Sequence, residues 1–166
     1  MFEKILTQKI GENLNDRILQ CDILLNMDAS NSALLGYTDY KFPNGNYLIH
    51  VAILNKNFSN LNALLQCGAN PNVRNDNGET PLCLAAYCGD EKMIKLLLKH
   101  GADKNGYDNT RKTPIFYSVK ANNEKTLEEL LKNGAAIRAM DFEGKTAKDY
   151  ASKKNKKIIE IFERYK

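Results

Sequence analysis

The sequence has few of the residues and patterns that enzymes, metal sites and membrane proteins require. Among its 166 residues there are only two histidines and four cysteines. No stretch approaches the roughly 20 apolar residues that span a bilayer, so we expect no membrane segment. Glu3 stands where a secretory signal would begin with basic and then apolar residues. We therefore expect a cytoplasmic protein, or one in a host cell's cytosol if export leaves no cleavable signal.

The cysteine spacing and the net charge argue against a metal-binding protein and a nucleic-acid-binding protein. The closest pair, Cys83 and Cys88, has neither C-x-x-C spacing nor the spacing of one helical face, so we expect reduced thiols and no metal site. The net charge is only +4, without a dense basic patch, which argues against nucleic-acid binding. Residues 153–157 include four lysines, which we interpret as a solvated surface. A nuclear-import or nucleic-acid patch is the alternative there.

A 33-residue repeat is the dominant positive feature. The segments GNYLIHVA, GETPLCLA and RKTPIFYS begin at residues 45, 78 and 111. Leu-Leu pairs begin at residues 64, 97 and 130, and Gly-Ala pairs begin at residues 68, 101 and 134, at the same interval. A fourth copy begins at residue 141 and continues to the end of the sequence. A fixed period of this length is typical of stacked repeat architectures.

These motifs resemble the ankyrin repeat, a unit similar to D-x-x-G-x-T-P-L-H-x-A-A followed by a second helix and G-A-x-x-N. The segment 76–105 carries nearly the full pattern, with Cys83 in place of the motif's histidine. The resemblance implies an all-α solenoid of stacked helix-turn-helix units with hairpin-like loops. We predict full repeats and terminal units with the following boundaries: an N-terminal helical cap or degenerate repeat at 1–41, repeats at 42–74, 75–107 and 108–140, and a C-terminal capping repeat at 141–166.

Local chemistry supports this pattern. Thr80 and Thr113 can cap the helices that follow. Pro81 and Pro114 then occupy the first helical position, where a missing N–H costs nothing. We expect glycines in the left-handed conformation after the second helices, at Gly68, Gly101 and Gly134, and in the turns before the first helices, at Gly45, Gly78 and Gly144. We expect Asn72 and Asn105 to bond loop backbone.

Neither histidine is a strong catalytic candidate. The resemblance implies that His50 bonds a neighbouring repeat, and His100 precedes the helix-ending Gly101, where an imidazole can meet the last carbonyls. Neither histidine has an obvious nucleophile or carboxylate partner in its own repeat. The chain also contains neither G-x-x-x-x-G-K-[ST] nor G-x-G-x-x-G. We therefore predict a protein that is not an enzyme, with no catalytic residue and no cofactor.

The resemblance implies that loop tips and exposed first-helix positions line a concave surface that binds another protein. Aromatic, Met and Arg side chains in this set favour an interface, and its basic residues favour a partner with an extended or acidic segment. Met140 and Phe142 could instead pack against the C-terminal unit. The predicted partner-binding residues are Arg74, Asp76, Asn77, Glu79, Tyr87, Tyr107, Asn109, Thr110, Lys112, Lys120, Met140, Phe142, Glu143 and Lys145.

The leading functional hypothesis is a monomeric adaptor, inhibitor or scaffold that acts by binding a partner protein. Abundant Asn and Lys indicate an AT-rich genome, so a host-directed bacterial effector is one setting. The alternative is a self-assembling or structural subunit of a larger complex. An enzyme is a remote alternative, which would need a site in the irregular segment 26–42.

Overall fold

The computed structural model of the protein describes residues 38–151 and 155–166. The predicted N-terminal unit therefore lies outside the described residues except for its last four, as does most of the irregular segment 26–42. Lys153 and Lys154 of the predicted lysine cluster also lie outside them.

The described residues form helix pairs. The only extended pairing in this part of the chain is at two isolated bridges, Lys41 with Tyr47 and Met140 with Thr146. The prediction of an all-α repeat stack is confirmed. In chain order, the helices are α1 (Leu48–Leu54), α2 (Phe58–Gln66), α3 (Pro81–Cys88), α4 (Glu91–Lys99), α5 (Pro114–Lys120), α6 (Glu124–Lys132), a 3-10 helix (Ala147–Tyr150) and α7 (Lys156–Arg164).

The first helices of the repeats begin as predicted, with one exception. The Thr80 hydroxyl accepts a hydrogen bond from the Cys83 N–H at 3.3 Å, and Pro81 is the first helical residue. Thr113 holds the same place before Pro114, but its side chain makes no capping bond. The side-chain capping prediction is wrong for Thr113. Pro114 is nevertheless the first residue of α5, as Pro81 is of α3, so α5 begins at the predicted residue without the hydroxyl cap.

The second helices also begin with side-chain caps. Asn57, Asp90 and Asn123 each accept a bond from the N–H three residues later, at 3.0 to 3.1 Å. Asn155 caps α7 in the same way at 3.2 Å. Asn155 follows Asn123 by one residue less than the period of 33, so the terminal unit is shorter between its two helices. The predicted glycines after α2, α4 and α6 are confirmed, with φ of +87°, +85° and +78°.

The repeats stack in two layers. First helices pack on first helices, from α1 through α3 and α5 to the 3-10 helix, while α2, α4, α6 and α7 form the second layer. Helices of seven to nine residues are too short to be stable alone, so burial between repeats stabilises the fold. Each of the four units after residue 41 contributes a fully buried side chain from its described residues, and the largest include Leu48, Leu61, Leu82, Leu97, Leu127 and Phe162.

Loop asparagines connect successive repeats. The Asn72 side-chain oxygen accepts the Asp103 N–H at 2.7 Å, and its amide donates to the Gly101 carbonyl at 3.0 Å. The Asn105 side-chain oxygen accepts the Ala136 N–H at 2.8 Å. The predicted role of these asparagines is confirmed. Each one fixes the position of the next repeat's loop.

His50 is a structural residue, as predicted. It is fully buried, its Nδ1 accepts the Tyr47 N–H at 3.1 Å, and its Nε2 donates to the Glu79 carbonyl at 3.1 Å. This arrangement requires the neutral ring with the proton on Nε2. Burial lowers the pKa of His50 to about 4. His100 is the C-cap residue that follows α4, and its backbone N–H donates to the Leu96 and Leu97 carbonyls at 3.1 Å.

Cys67, Cys83 and Cys88 are free thiols. Burial raises the pKa of Cys83, which replaces the motif histidine, to about 12, so the group stays protonated. Across residues 38–151 and 155–166, no helix is long and apolar enough to cross a membrane.

Candidate functional site

The hairpin loops between repeats are built on one repeated turn. The side-chain oxygen Oδ1 of Asn75, Asp108 or Asp141 accepts the backbone N–H groups two and four residues later, at 2.7 to 3.1 Å. Asx residues favour such turns because their short side chains imitate a backbone acceptor. All three residues are buried, at 9% exposure or less. The turn therefore presents the flanking loop residues in the same orientation in each repeat.

In the last two repeats the turn aspartate also binds a tyrosine from the first helix. The Tyr117 hydroxyl donates to Asp108 Oδ2 at 2.7 Å, and the Tyr150 hydroxyl donates to Asp141 Oδ2 at 2.5 Å. Burial raises the pKa of Asp108, but the hydrogen bonds from Thr110, Tyr117 and the turn N–H groups outweigh it and leave that pKa below its usual value. The bond from Tyr150 lowers the pKa of Asp141. Both carboxyl groups are ionised at neutral pH.

Glu79 links the middle repeats within this network. Its Oε1 lies 3.2 Å from the Tyr117 hydroxyl, and its Oε2 accepts the Asn75 side-chain amide at 2.8 Å. Burial, then the bond to Asp108, raises the pKa of Tyr117, so the phenol stays protonated. The side chains of two successive repeats are therefore held together by one polar network at the base of the loops.

A cavity of about 1210 Å³ lies against this network, between the hairpin loops, α5, the 3-10 helix and the start of α7. We call it the C-terminal groove. Six predicted partner-binding residues line it: Asn77, Glu79, Asn109, Thr110, Lys112 and Lys120. The sequence analysis missed ten further lining residues: Asp108, Phe116, Tyr117, Val119, Asn122, Glu124, Tyr150, Asn155, Lys156 and Lys157.

Four other predicted residues form an exposed apolar set, which we call the apolar row: Tyr87, Tyr107, Met140 and Phe142. They are 48%, 50%, 55% and 72% exposed, so Met140 and Phe142 do not pack into the C-terminal unit. The Arg74 guanidinium lies 5.2 Å from the centre of the Tyr107 ring, and the Lys120 ammonium lies 5.6 Å from that of Tyr87. Such cation–π contacts restrain the rings while leaving one face open.

The remaining predicted residues lie in the hairpin loops outside the groove and are engaged with neighbours. Asp76 pairs with Lys41 at 2.6 Å, and its backbone carbonyl accepts the Asn109 amide at 2.9 Å. Glu143 pairs with Lys145 at 2.7 Å. The structure thus divides the predicted surface into a groove, an apolar row and a set of paired loop charges.

The missed residues had a partial signal in the sequence. Where the turn residue is Asp108 or Asp141, a tyrosine follows nine positions later, whereas Asn75 is followed at that distance by Leu84. The joint change from Asn and Leu to Asp and Tyr indicates a contact between the two positions. By contrast, Asn122, Asn155 and Lys156 meet in the groove because the 3-10 helix packs on α5 and α7 packs on α6, and no pattern within one unit shows these contacts.

We expect Tyr117→Phe to lower the free energy of unfolding by about 1.5 kcal/mol, because the buried Asp108 carboxylate would lose a hydrogen bond to a charged group. Urea denaturation at pH 7 measures this loss, and NMR titration should show the pKa of Asp108 rising. Tyr150→Phe is the matched control. It removes the equivalent bond at a residue that is 38% exposed, where water can replace it, so a smaller loss is expected. Equal losses in the two variants would contradict the assigned role of burial.

One comparison with known proteins identifies a family for this chain. A search of curated proteins found no match. A family model described as ankyrin repeats matches three copies within residues 49–141, which is more than half of the chain. The matched segment contains helices α1 to α6 almost entirely, together with Tyr87, Tyr107 and Met140 of the apolar row and much of the C-terminal groove. The chain belongs to the ankyrin-repeat family.

Proposed function

We propose that the protein acts by binding a partner protein, without catalysis, as an adaptor, inhibitor or scaffold. Ankyrin repeats indicate a protein-interaction module. The observation that carries the proposal is the apolar row, four large side chains between 48% and 72% exposed on the loops and a first helix of a rigid stack. Exposed large apolar side chains beside polar ones are the composition of interface centres.

The apolar row supplies anchors, and the groove beside it supplies polar specificity. Lys120 contacts the Tyr87 ring and also lines the C-terminal groove, so the two surfaces adjoin at α5. Tyrosines are the residues that most often dominate binding energy when a partner covers them. We therefore assign the main contribution to Tyr87 and Tyr107, with Arg74, Asn109 and Lys112 providing hydrogen bonds and charge.

The double substitution of Tyr87 and Tyr107 by alanine is expected to weaken partner binding by at least about 100-fold, since buried interface tyrosines contribute about 2 kcal/mol each. The measurement is affinity purification with mass spectrometry, comparing the wild type and the double variant. Both side chains are about half exposed, so thermal unfolding should remain cooperative.

Phe58→Ala is the control for loss of an exposed aromatic side chain. Phe58 is 43% exposed and begins α2, in the other helical layer, so its removal should leave the captured partners unchanged. A double tyrosine variant that captures the same partners at the same level would overturn the proposed binding surface.

We propose that the protein works as a monomer in the cytoplasm, or in the cytosol of a host cell if it is an exported bacterial effector. The Asn and Lys content supports the effector setting. Light scattering over a range of protein concentrations tests the monomer. A mass that rises with concentration would favour a self-assembling subunit instead.

A further inference from the structure

The last first-layer helix, which lies beside the C-terminal groove, is shorter than those before it. The 3-10 helix Ala147–Tyr150 has four residues, whereas α3 has eight, and α7 then begins one residue earlier than the period requires. The N-terminal residues of α7 therefore lie at the same cavity as the exposed end of α5.

The groove has an aromatic wall. Phe116 and Tyr150 contact each other edge to face, with ring centres 5.9 Å apart, and Val119 lies one turn of α5 further on. Tyr150 is 38% exposed and held by its bond to Asp141. The Lys112 and Lys145 ammonium groups lie 5.2 Å and 5.7 Å from the centre of the Tyr150 ring. The exposed part of this ring and the alkyl stems of the two lysines can therefore contact one apolar side chain of a ligand.

The charges that line the groove are unequally engaged. Each carboxylate already has a partner: Asp108 binds Tyr117, Glu79 binds Asn75, and Glu124 lies 3.6 Å from Lys157. Lys120 and Lys156 are exposed, and no carboxylate among the described residues lies within 4.0 Å of either ammonium. The bonds from Tyr117 and Asn75 leave Asp108 and Glu79 negatively charged, so the four lysines and three carboxylates of the lining sum to a net charge of +1. Lys120 and Lys156 are the lining lysines that no described carboxylate pairs with, since Lys112 lies 3.9 Å from Asp141 and Lys157 lies 3.6 Å from Glu124.

The balance of groups favours a peptide over a nucleic acid. Three carboxylates stand among four lysines in the lining, and a phosphodiester backbone, with a charge on every phosphate, would be repelled by them. A peptide can carry isolated carboxylates between neutral residues. Asn77 in the lining offers an amide group that can hydrogen-bond an extended peptide backbone, since its nitrogen makes only a 3.5 Å contact with Glu79 Oε2.

We propose that the C-terminal groove binds an extended acidic peptide segment, with an acidic side chain at Lys120 and Lys156 and an apolar side chain against Tyr150 and Phe116. The proposal rests on the proposed partner-binding function and names the chemistry of the partner at this site. Charge complementarity selects the acidic side chain, and the aromatic wall selects its apolar neighbour.

The test uses the full chain and a short fluorescein-labelled peptide in which glutamates flank a phenylalanine. Fluorescence anisotropy should show binding that weakens as salt is added, because the lysines are exposed. The double variant Lys120→Glu with Lys156→Glu should bind at least about tenfold more weakly. Lys92→Glu with Lys99→Glu is the matched control, since it makes the same charge change on exposed lysines of α4 and should bind like the wild type.

Four results would overturn the inference: no peptide binding by the wild type, equal loss in the two double variants, equal binding of a peptide with glutamine in place of glutamate, or tighter binding of a single-stranded DNA oligonucleotide. Capture of the partner protein distinguishes a failure of the acidic-peptide site from a failure of the proposed partner-binding function. If Tyr87→Ala with Tyr107→Ala abolishes capture but the Lys120 and Lys156 variant does not, the partner-binding function stands and the acidic-peptide site is wrong. If neither variant changes capture, the proposed binding surface itself is wrong.

Discussion

Gly78→Ala is expected to lower the free energy of unfolding by about 3 kcal/mol, from left-handed strain and from the loss of loop hydrogen bonds. Gly78 has φ of +76°, where an L side chain costs about 1 kcal/mol. A Cβ there would also lie 2.6 Å from the Asn109 backbone nitrogen, and backbone cannot move aside as a flexible side chain can. The hairpin of the next repeat would have to shift, which would disrupt the 3.0 Å bond from the Asn109 N–H to the Asn77 carbonyl.

Gly144→Ala separates the two contributions. Gly144 holds the same register position with φ of +72°, and nothing lies within 4 Å of an added Cβ. It should therefore lose only the strain contribution, about 1 kcal/mol. Urea denaturation of both variants at pH 7 gives the comparison, and equal losses would show that the contact between hairpins contributes nothing. Because Asn77 and Asn109 line the C-terminal groove, Gly78→Ala should also weaken peptide binding there.

Lowering the pH from 7 to 5 is expected to reduce the free energy of unfolding by about 2 kcal/mol, through His50 alone. The pKa of His50 is about 4 in the folded protein, below its ordinary value of 6.5. Between these two pH values the unfolded chain binds more protons at His50 than the folded protein does. The contribution of His50 to the free energy of unfolding is therefore full above about pH 6.5, falls as the pH drops, and is lost below about pH 4. Aspartates with lowered pKa, such as Asp108, add their own loss only near and below pH 4.

The second histidine provides the control. His100→Gln changes a residue at the end of α4 and should keep the fall in stability between pH 7 and 5. His50→Gln should be less stable at pH 7, because the Tyr47 N–H and the Glu79 carbonyl lose their partner, but its stability should change little across this pH range. Urea denaturation at pH 7, 6 and 5 measures both. A fall that persists in His50→Gln would assign the pH dependence to other groups.

Much of the local structure could be predicted because it depends on residues close in sequence. Thr80 and Pro81 start α3, and Gly101 follows the end of α4, since caps and left-handed positions have strong residue preferences. Asn57 and Asn123 carry the same kind of signal, and the sequence analysis overlooked them. The candidate surface was predictable in part. The repeat register correctly predicted six residues that line the groove. It did not predict which ion pairs the charged loop residues form, such as Lys41 with Asp76.

The sequence by itself determined the period, the helix starts and ends, and the all-α repeat class, because these follow from contacts within one unit and from a motif repeated at a fixed interval. Only the tertiary structure decided which exposed residues share a surface. Tyr117 meets Asp108 and approaches Glu79 across two repeats, and Lys156 reaches the groove because the terminal unit is shortened. Such contacts depend on how units stack on one another, and a pattern repeated at a fixed interval does not encode the shortened unit beside the groove.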